Sequence, residues 1–333
     1  MVGAVIGKSM SAAHPSVSSL APSRDRPLLV GTRGSPLALW QARDVIARLR
    51  GVCDEPIEEH VIRTTGDAVL DRPLAEIGGK GLFAKEIHEA LLDFRVDFAV
   101  HSLKDLETQL PPGIVLACTL AREDARDVLV LGPYCRRADP HDPYAALAPN
   151  AVVGSASVRR QAQLKHARPD LEVQVLRGNV QTRLSRLAAG HIAATLLALA
   201  GLRRLGLEDR ASIVLDPEVM VPAAGQGIVG VTVREGDAAL RALLARIEDA
   251  DARAVSSAER GLLASLDGSC RTPIGGHATL RDGQLHLTGL VARADGSFLL
   301  KRSLHGPADD AEALGRTLGA SLRADSPADL FAA

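Results

Sequence analysis

The stretch Val96-Asp97-Phe98-Ala99-Val100-His101-Ser102-Leu103-Lys104-Asp105 gives the clearest view of how this chain is built. Apolar side chains alternate through its first half with the period of a β-strand, and the strand then ends on a lysine and an aspartate. Open α/β sheets bind ligands at the carboxyl ends of their strands. We therefore expect Asp105, kept ionised by Lys104, to accept a ligand hydrogen bond and to stabilise developing positive charge. A solvated turn or a helix N-cap at Asp105 is the alternative.

Strand and helix patterns alternate on both sides of this stretch. They run from Leu28 to Arg126, restart directly afterwards at Val128, and include a returning strand pattern over residues 228–233. Such alternation predicts α/β layers with mostly parallel sheets. From Ala252 a long helix pattern is followed by three strand patterns and a final helix, which predicts a small α+β domain.

The composition limits the classes of function. A chain of 333 residues can hold two or three domains, and a net charge of −1 with 2% aromatic residues argues against a nucleic-acid binder. No apolar run is long enough to span a membrane, so neither nucleic acid nor a membrane is an expected partner. Residues 1–26 are rich in Ser, Ala and Pro and predict a disordered tail, with a targeting segment as the alternative.

The cysteines are widely separated in the sequence: Cys53, Cys118, Cys135 and Cys270. They form no C-x-x-C pair and no zinc-ligand spacing with histidine, and their small number indicates no disulfide framework. We therefore expect no metal site and a reducing, cytoplasmic location. Cys118 lies in an apolar strand pattern and is expected in the core. Cys270 is flanked by glycines and a proline that would display its thiol on a shaped turn, although a buried structural thiol is the alternative.

Arginines are concentrated in the middle of the chain: Arg159, Arg160, Arg168, Arg177, Arg183 and Arg186. Three strand-to-helix turns, near Gly31, Gly154 and Gly178, place an arginine beside Gly or Ser. Helix starts attract anions and arginine binds carboxylates in a bidentate manner, so these turns predict an anion site, with phosphate and carboxylate both open. The run Gly78-Gly79-Lys80-Gly81 lacks the spacing of a P-loop and predicts either a mobile lid carrying one cation or a plain loop.

The chain also resembles the porphobilinogen deaminases, or hydroxymethylbilane synthases, from about Leu28 to the C-terminal helix. The segments that carry the resemblance occur in the family's order: Thr32-Arg33-Gly34-Ser35-Pro36-Leu37-Ala38-Leu39-Trp40-Gln41, Gly78-Gly79-Lys80-Gly81-Leu82-Phe83, Val100-His101-Ser102-Leu103-Lys104-Asp105, Arg159-Arg160-Gln161, Arg177-Gly178-Asn179-Val180, Pro222-Ala223-Ala224-Gly225-Gln226-Gly227 and Gly268-Ser269-Cys270.

The resemblance implies a monomer with three domains. Two are α/β domains like the halves of a periplasmic binding protein, with an active-site cleft between them, and the third is a small C-terminal α+β domain that carries the cysteine. The implied ranges, after the 1–26 tail, are 27–123 plus 222–246, 126–221 and 249–333.

The resemblance implies a reaction as well. A dipyrromethane cofactor, attached through a thioether to Cys270, primes a chain that grows by four porphobilinogen units to hydroxymethylbilane, with loss of ammonia at each step. The product passes to the next enzyme of tetrapyrrole biosynthesis. Because each pyrrole carries acetate and propionate groups, the arginines would hold a polycarboxylate. Asp105 would stabilise the cation that forms as ammonia leaves and would help to move the proton lost afterwards.

The family's pattern assigns the remaining site residues. Those that would hold the cofactor are Lys104, Ser157, Arg159, Arg160 and Arg183. Those that would bind the substrate or growing chain are Arg33, Ser35, Gln41, Phe83, Arg177 and Arg204, with Phe83 stacked on a pyrrole. The lid loop would contain Gly79, Lys80 and Gly81.

The chain departs from the family's pattern at a few positions. Ala156 stands where the family often has a second Ser or Thr, which would remove one hydrogen bond to the cofactor. Glu107 replaces the usual Pro after the Lys-Asp pair, so we expect the loop beyond Asp105 to be less rigid. The stretch 132–149 is longer than usual.

Three other functions fit parts of the pattern. A solute-binding module would share the two-lobed cleft, but it gives no role to Cys270 and would usually need an export signal. A nucleic-acid binder would use the arginines, against the near-neutral charge and the scarcity of aromatic residues. A thiol enzyme of another class would use Cys270 as a nucleophile that turns over.

Overall fold

The computed structural model describes residues 26–68, 81–136, 139, 141–266 and 272–331. The strands are β1 (Leu28–Thr32), β2 (Ile57–Val61), β3 (Phe98–Ser102), β4 (Ile114–Thr119), β5 (Asp127–Leu131), β6 (Val152–Gly154), β7 (Glu172–Gln174), β8 (Ala194–Ala198), β9 (Ile213–Val214), β10 (Val229–Arg234), β11 (Ile274–Arg281), β12 (Gln284–Ala292) and β13 (Leu299–Pro307). The α-helices are α1 (Pro36–Leu49), α2 (Thr65–Ala68), α3 (Lys85–Leu92), α4 (Val158–Ala167), α5 (Val180–Ala188), α6 (Leu199–Arg204), α7 (Ala238–Ala245), α8 (Ala250–Ser265) and α9 (Ala311–Ala324). Within these ranges, each helix is too short or too polar to cross a membrane.

The first lobe is built on a five-stranded sheet in the order β2-β1-β3-β10-β4. β1 pairs in parallel with β2 and β3, whereas β10 is antiparallel to both of its neighbours. The helices cover both faces of this sheet, because α1 and α7 contribute to one hydrophobic cluster and α3 to another. β10 is an inner strand between β3 and β4 and is almost wholly buried, which explains its nearly continuous apolar sequence.

The second lobe repeats this arrangement in the order β7-β6-β8-β5-β9. β6 pairs in parallel with β7 and β8, and β5 runs antiparallel beside β8, as β10 does beside β3. The chain crosses from the first lobe to the second before β5 and returns before β10. Each crossing therefore leads directly into the antiparallel strand of the lobe that it enters.

The C-terminal domain has an antiparallel sheet in the order β11-β12-β13, on which α8 and α9 pack. Gly315 of α9 lies so close to the Ala258 carbonyl of α8 that a side chain there would collide with the backbone. The predicted fold class, two α/β lobes with a small α+β domain, is confirmed. Cys118 is fully buried in β4, as predicted.

Some element boundaries differ from the sequence prediction. The apolar run over 192–200 contains both β8 and the start of α6, which follow one another without a loop. A short buried strand and a buried helix have the same apolar character, so periodicity does not separate them. The returning strand predicted over 228–233 is β10, which spans Val229–Arg234, and the long helix predicted from Ala252 is α8, which begins at Ala250.

Candidate active site

Three helices begin shortly after the carboxyl ends of strands, and a polar side chain caps each of them. Ser35 caps α1, Ser157 caps α4 and Asn179 caps α5, where their oxygens accept backbone N–H groups at 3.3, 3.4 and 2.9 Å. The starts of helices carry partial positive charge and unpaired N–H groups. Such helix starts favour anions, and the anion site at these turns remains a prediction.

Asp105 lies at the end of a short helical turn, Leu103–Asp105, directly after β3. Its carboxylate is exposed and has no hydrogen-bond or ion-pair partner in the described part of the chain. The neighbouring Lys104 amine donates to Gln226 Oε1 at 3.2 Å. The strand end thus presents an open carboxylate beside an anchored cation.

The Lys104 amine lies in a strongly charged environment. Burial is the largest cause that lowers the pKa of Lys104 to about 8. Asp105 and Asp127 raise this pKa, and Arg160 and Arg159 lower it. Because Lys104 belongs to the first lobe and both arginines to the second, charged groups of the two lobes act on one another here.

Asp127, the first residue of β5, joins these groups. It is fully buried and accepts from Arg159 Nη1 at 2.7 Å, from Arg160 Nη2 and Nε at 2.7 and 3.0 Å, and from Gln226 Nε2 at 3.0 Å. Burial alone would raise the pKa of Asp127, but the two guanidinium groups hold it far below its usual range. A continuous hydrogen-bonded chain therefore runs from Lys104 through Gln226 and Asp127 to both arginines.

The sequence predicts Arg159 and Arg160 as ligand residues, and both prove to be buried and partly satisfied within the protein. Arg159 Nη1 also donates to the Val221 carbonyl at 2.6 Å, and Arg160 Nη1 donates to the Leu196 carbonyl at 2.8 Å. Both side chains are thus fixed in place and contribute positive charge, with only part of their N–H groups left for a ligand.

Arg183 on α5 has more capacity for a ligand. Its Nε donates to the Gly178 carbonyl at 2.9 Å, and no described residue accepts from its two Nη groups. Burial lowers the pKa of Arg183 to about 10, Arg160 and Arg177 act in the same direction, and Asp105 opposes them. A largely enclosed guanidinium with few acceptors favours an anionic ligand.

Arg33 and Phe83 lie together in the first lobe. Arg33 forms a bidentate ion pair with Asp67, in which Nε and Oδ2 are 3.0 Å apart, and its guanidinium carbon lies 4.1 Å from the centroid of the Phe83 ring. From the second lobe, Arg177 Nη2 donates to the Gly66 carbonyl at 3.0 Å. The hydrogen bond from Arg177 to Gly66 therefore joins the second lobe to the part of the first lobe that carries Arg33 and Phe83.

Two further predicted ligand residues make internal contacts. Gln41 is buried and its Nε2 donates to Ser102 Oγ at 2.9 Å, next to the turn that carries Asp105. Arg204 donates to the Gly227 carbonyl at 2.7 Å and lies over the Trp40 ring at 5.5 Å from its centroid.

Some predicted residues do not join this group. Arg168 pairs with Asp170, and Arg186 is exposed on α5, so neither belongs to the cluster that the sequence suggests. Gly81 has a positive φ of 79° and precedes Phe83. Three residues with predicted roles lie outside the described residues: Gly79, Lys80 and Cys270.

Sequence reasoning missed three residues that organise the site. Asp127 had a usable signal, because an acid directly before the apolar run of β5 needs a counterion once buried, and unassigned arginines were available. Gln226 lies in a segment that carries the family resemblance but was given no role. Asp67 had no signal, since its pairing with Arg33 depends on the fold.

Comparison with known proteins identifies the family of the chain. The family model described as porphobilinogen deaminase, dipyromethane cofactor binding domain, matches residues 28–242, and the porphobilinogen deaminase C-terminal domain matches residues 254–324. The porphobilinogen deaminase of Paracoccus denitrificans is 48% identical over 313 residues, covering 93% of this chain and 98% of the relative. That of Chromobacterium violaceum is 48% identical, covering 89% and 94%.

A chloroplastic porphobilinogen deaminase of Oryza sativa is 47% identical, covering 84% of this chain and 78% of the relative. Among solved structures, a Salmonella typhimurium periplasmic binding protein with high arginine specificity aligns with a TM-score of 0.39 and 12% identity, covering 67% of this chain and 91% of that chain. The two family models span most of the sequence, and the relatives are nearly half identical. The chain therefore belongs to the porphobilinogen deaminase family, the transferases of tetrapyrrole biosynthesis that form hydroxymethylbilane from porphobilinogen.

Proposed function

We propose that the facing edges of the two lobes form the active site of this porphobilinogen deaminase and that Asp105 is its catalytic carboxylate. The observation that carries the proposal is the open Asp105 carboxylate among cationic groups of both lobes, Lys104 and Arg183. Such a site suits a substrate that is anionic at its acetate and propionate groups and becomes cationic at its pyrrole ring during the reaction.

The role of Asp105 follows from where charge develops. When the aminomethyl group of porphobilinogen leaves as ammonia, positive charge spreads onto the pyrrole nitrogen. A hydrogen bond from the pyrrole N–H to Asp105 strengthens as this charge grows, so it stabilises the transition state more than the bound substrate. Because Asp105 is exposed, it can also take up the proton released when a ring regains aromaticity and pass it to water.

The residues around Asp105 fit a dipyrromethane cofactor. Arg183 has N–H groups without a described acceptor, Lys104 adds a cationic amine, and the start of α4 adds backbone N–H groups. A ligand with several carboxylates requires several such donors. When bound, the cofactor supplies the terminal pyrrole carbon to which the first substrate ring is joined. We propose that Cys270 attaches it through a thioether and that it is held by Lys104, Ser157, Arg159, Arg160 and Arg183.

The substrate and the growing chain require a second set of residues, for which we propose Arg33, Ser35, Gln41, Phe83, Arg177 and Arg204, with Gly79, Lys80 and Gly81 in a lid loop. The Arg33 guanidinium covers one face of the Phe83 ring. We propose that a pyrrole stacks on the other face. Because Arg33 pairs with Asp67, a substrate carboxylate must share or replace that ion pair.

The organisation of the protein is also proposed. We divide it into domains at 27–123 with 222–246, 126–221 and 249–333, a division supported by the three sheets whose strands fall within these ranges. We further propose a cytoplasmic monomer that releases its product to the next enzyme of the pathway.

Incubation of the purified protein with porphobilinogen tests the function. Four molecules of ammonia should be released for each molecule of hydroxymethylbilane formed. A solute-binding protein would bind porphobilinogen and release no ammonia. Absence of ammonia release by protein that carries the cofactor would contradict the proposal.

Replacing Arg183 with Gln should weaken capture of the cofactor. Loss of charge-assisted hydrogen bonds worth about 1.5–3 kcal/mol corresponds to an affinity about 10- to 100-fold lower. The measurement is covalent loading of cofactor-free protein at limiting porphobilinogen, followed by mass spectrometry. Arg186→Gln is the matched control, because Arg186 is exposed on the same helix and should load normally. Equal loading of both variants would contradict the proposed role of Arg183.

Cofactor capture should also decline above about pH 8. The lowered pKa of Lys104 means that its amine is charged below about pH 8 and becomes neutral above it, so its attraction for carboxylates falls as pH rises. Loading of cofactor-free protein should be followed from about pH 6.5 to 9.5. Lys104→Arg stays charged throughout and should move the decline to higher pH. Parallel pH profiles for the two proteins would show that Lys104 is not the titrating group.

A further inference from the structure

Glu107 follows Asp105 by two residues and points into the protein. Its Oε1 lies 3.4 Å from Nδ1 of His88 on α3, and the side chains of Glu107 and His88 are 11% and 3% exposed. Burial alone would raise the pKa of Glu107, but the contact with His88 holds it below its usual value. The contact has the distance of an ion pair and lacks the alignment of a regular hydrogen bond.

The Glu107 carboxylate also lies against the turn that starts α3. A side chain at Gly81 would meet Glu107 Oε1 at 2.9 Å, and the Gly81 carbonyl accepts the backbone N–H groups of Ala84 and Lys85, both at 2.8 Å. Phe83 is part of this turn. Glu107 therefore lies packed between the turn that contains Phe83 and the loop that contains Asp105.

The opposite side of the same loop is held by the C-terminal domain. Arg260 of α8 donates to the carbonyls of Leu106, Glu107 and Thr108 at 3.4, 2.9 and 3.1 Å. The loop beyond Asp105 is thus tied down on two sides, although the replacement of Pro by Glu predicts a looser loop. Contacts to α3 and α8 take the place of the ring restraint that proline would give.

We propose that Glu107, paired with His88, is a positioning residue that sets Asp105 against Phe83 for the reaction. It touches neither the substrate nor the reacting atoms and acts through the two loops that it contacts. The inference rests on the roles proposed above for Asp105 and Phe83. Glu107 and His88 would then affect the rate of the reaction without binding the substrate.

The physical basis is the short range over which catalytic geometry matters. A carboxylate displaced by a fraction of an ångström from a developing charge loses much of its effect on rate. Glu107→Gln keeps the size of the side chain and replaces the carboxylate with an uncharged, weaker acceptor, so the contact with His88 weakens in a buried setting. We expect kcat to fall about 10-fold, with KM changed less than about 2-fold, because substrate binding groups elsewhere are untouched.

The test compares variants at equal cofactor content, determined by mass spectrometry. Glu107→Gln and His88→Leu should each show the lowered kcat, and the double variant should be no slower than either one because the two residues act as a pair. His88→Asn, whose amide nitrogen can take the place of Nδ1, should retain most of the rate. Glu89→Gln is the matched control, since Glu89 is exposed on the same helix and should behave like the unaltered protein.

A second readout does not depend on turnover. In protein labelled with [15N]histidine, the His88 signal, identified by its loss in His88→Asn, should shift in Glu107→Gln and stay unchanged in Glu89→Gln. A purely structural role would lower thermal stability and leave kcat for each cofactor-loaded molecule within about 2-fold, which would overturn the inference.

Asp105→Asn separates this inference from the proposed function. If Asp105→Asn is slow and Glu107→Gln is not, the positioning role of Glu107 fails and the role of Asp105 stands. If Asp105→Asn keeps its rate, the role of Asp105 fails and the inference falls with it.

Discussion

Replacing Asp105 with Asn should lower kcat about 100- to 1,000-fold without changing the fold. The substitution keeps the shape of the side chain and removes the negative charge, while the neighbouring amine of Lys104 remains. The cation that forms as ammonia leaves then loses its counterion and the released proton loses its acceptor. Because the exposed Asp105 carboxylate forms no hydrogen bond or ion pair with other described residues, its replacement should cost little stability.

The Asp105 experiment is single-turnover ammonia release at equal cofactor content. Asp105→Glu should retain more activity than Asp105→Asn because it keeps a carboxylate near the same place. Asp209→Asn, which alters another exposed carboxylate, serves as the control. A rate for Asp105→Asn within about 5-fold of the unaltered protein would exclude Asp105 as the catalytic carboxylate.

Replacing Asp127 with Asn should destabilise the protein by about 3–5 kcal/mol. Asp127 is fully buried and is the carboxylate to which Arg159 and Arg160 donate, so the substitution leaves two buried guanidinium groups without their counterion. It also weakens the hydrogen bond from Gln226, and through it the link from Lys104, to the second lobe, because an amide oxygen is a weaker acceptor than a carboxylate. We therefore expect weaker cofactor capture in addition to the loss of stability.

Unfolding by urea measures the stability effect of Asp127→Asn. Asp170→Asn is the matched control, because Asp170 also pairs with an arginine but lies nearer the surface, and its loss should have a much smaller effect. The pKa of Asp127 is lowered in the folded state, so its contribution is present at neutral pH and is lost as pH falls below about 4. Equal stability of the two variants at pH 7 would contradict the role given to Asp127.

The elements that carry the site could be read from the sequence because their signals are local. Alternating apolar residues predict β3, and its end places Asp105 at a sheet edge. Ser35 followed by Pro36 predicts the start of α1, and the structure shows the Ser35 cap. Such signals depend only on neighbouring residues, so they can be recognised without knowledge of the fold.

What the sequence did not reveal depends on pairs of residues far apart in the chain. Asp127 and Arg159 are 32 positions apart, and Arg33 and Asp67 are 34 positions apart. The antiparallel direction of β10 is likewise invisible, since a buried strand has the same apolar pattern in either direction. Glu107 could be identified as a departure from the family's pattern, but the compensating contact with His88 required the folded structure.

An intact mass spectrum of the denatured protein, followed by peptide mapping, tests the proposed cofactor attachment directly. We predict an adduct that corresponds to two linked pyrroles derived from porphobilinogen, located on Cys270. Unmodified protein should acquire this adduct when it is incubated with porphobilinogen. If Cys270 stays unmodified after that incubation and no ammonia is released, the protein does not have the proposed function.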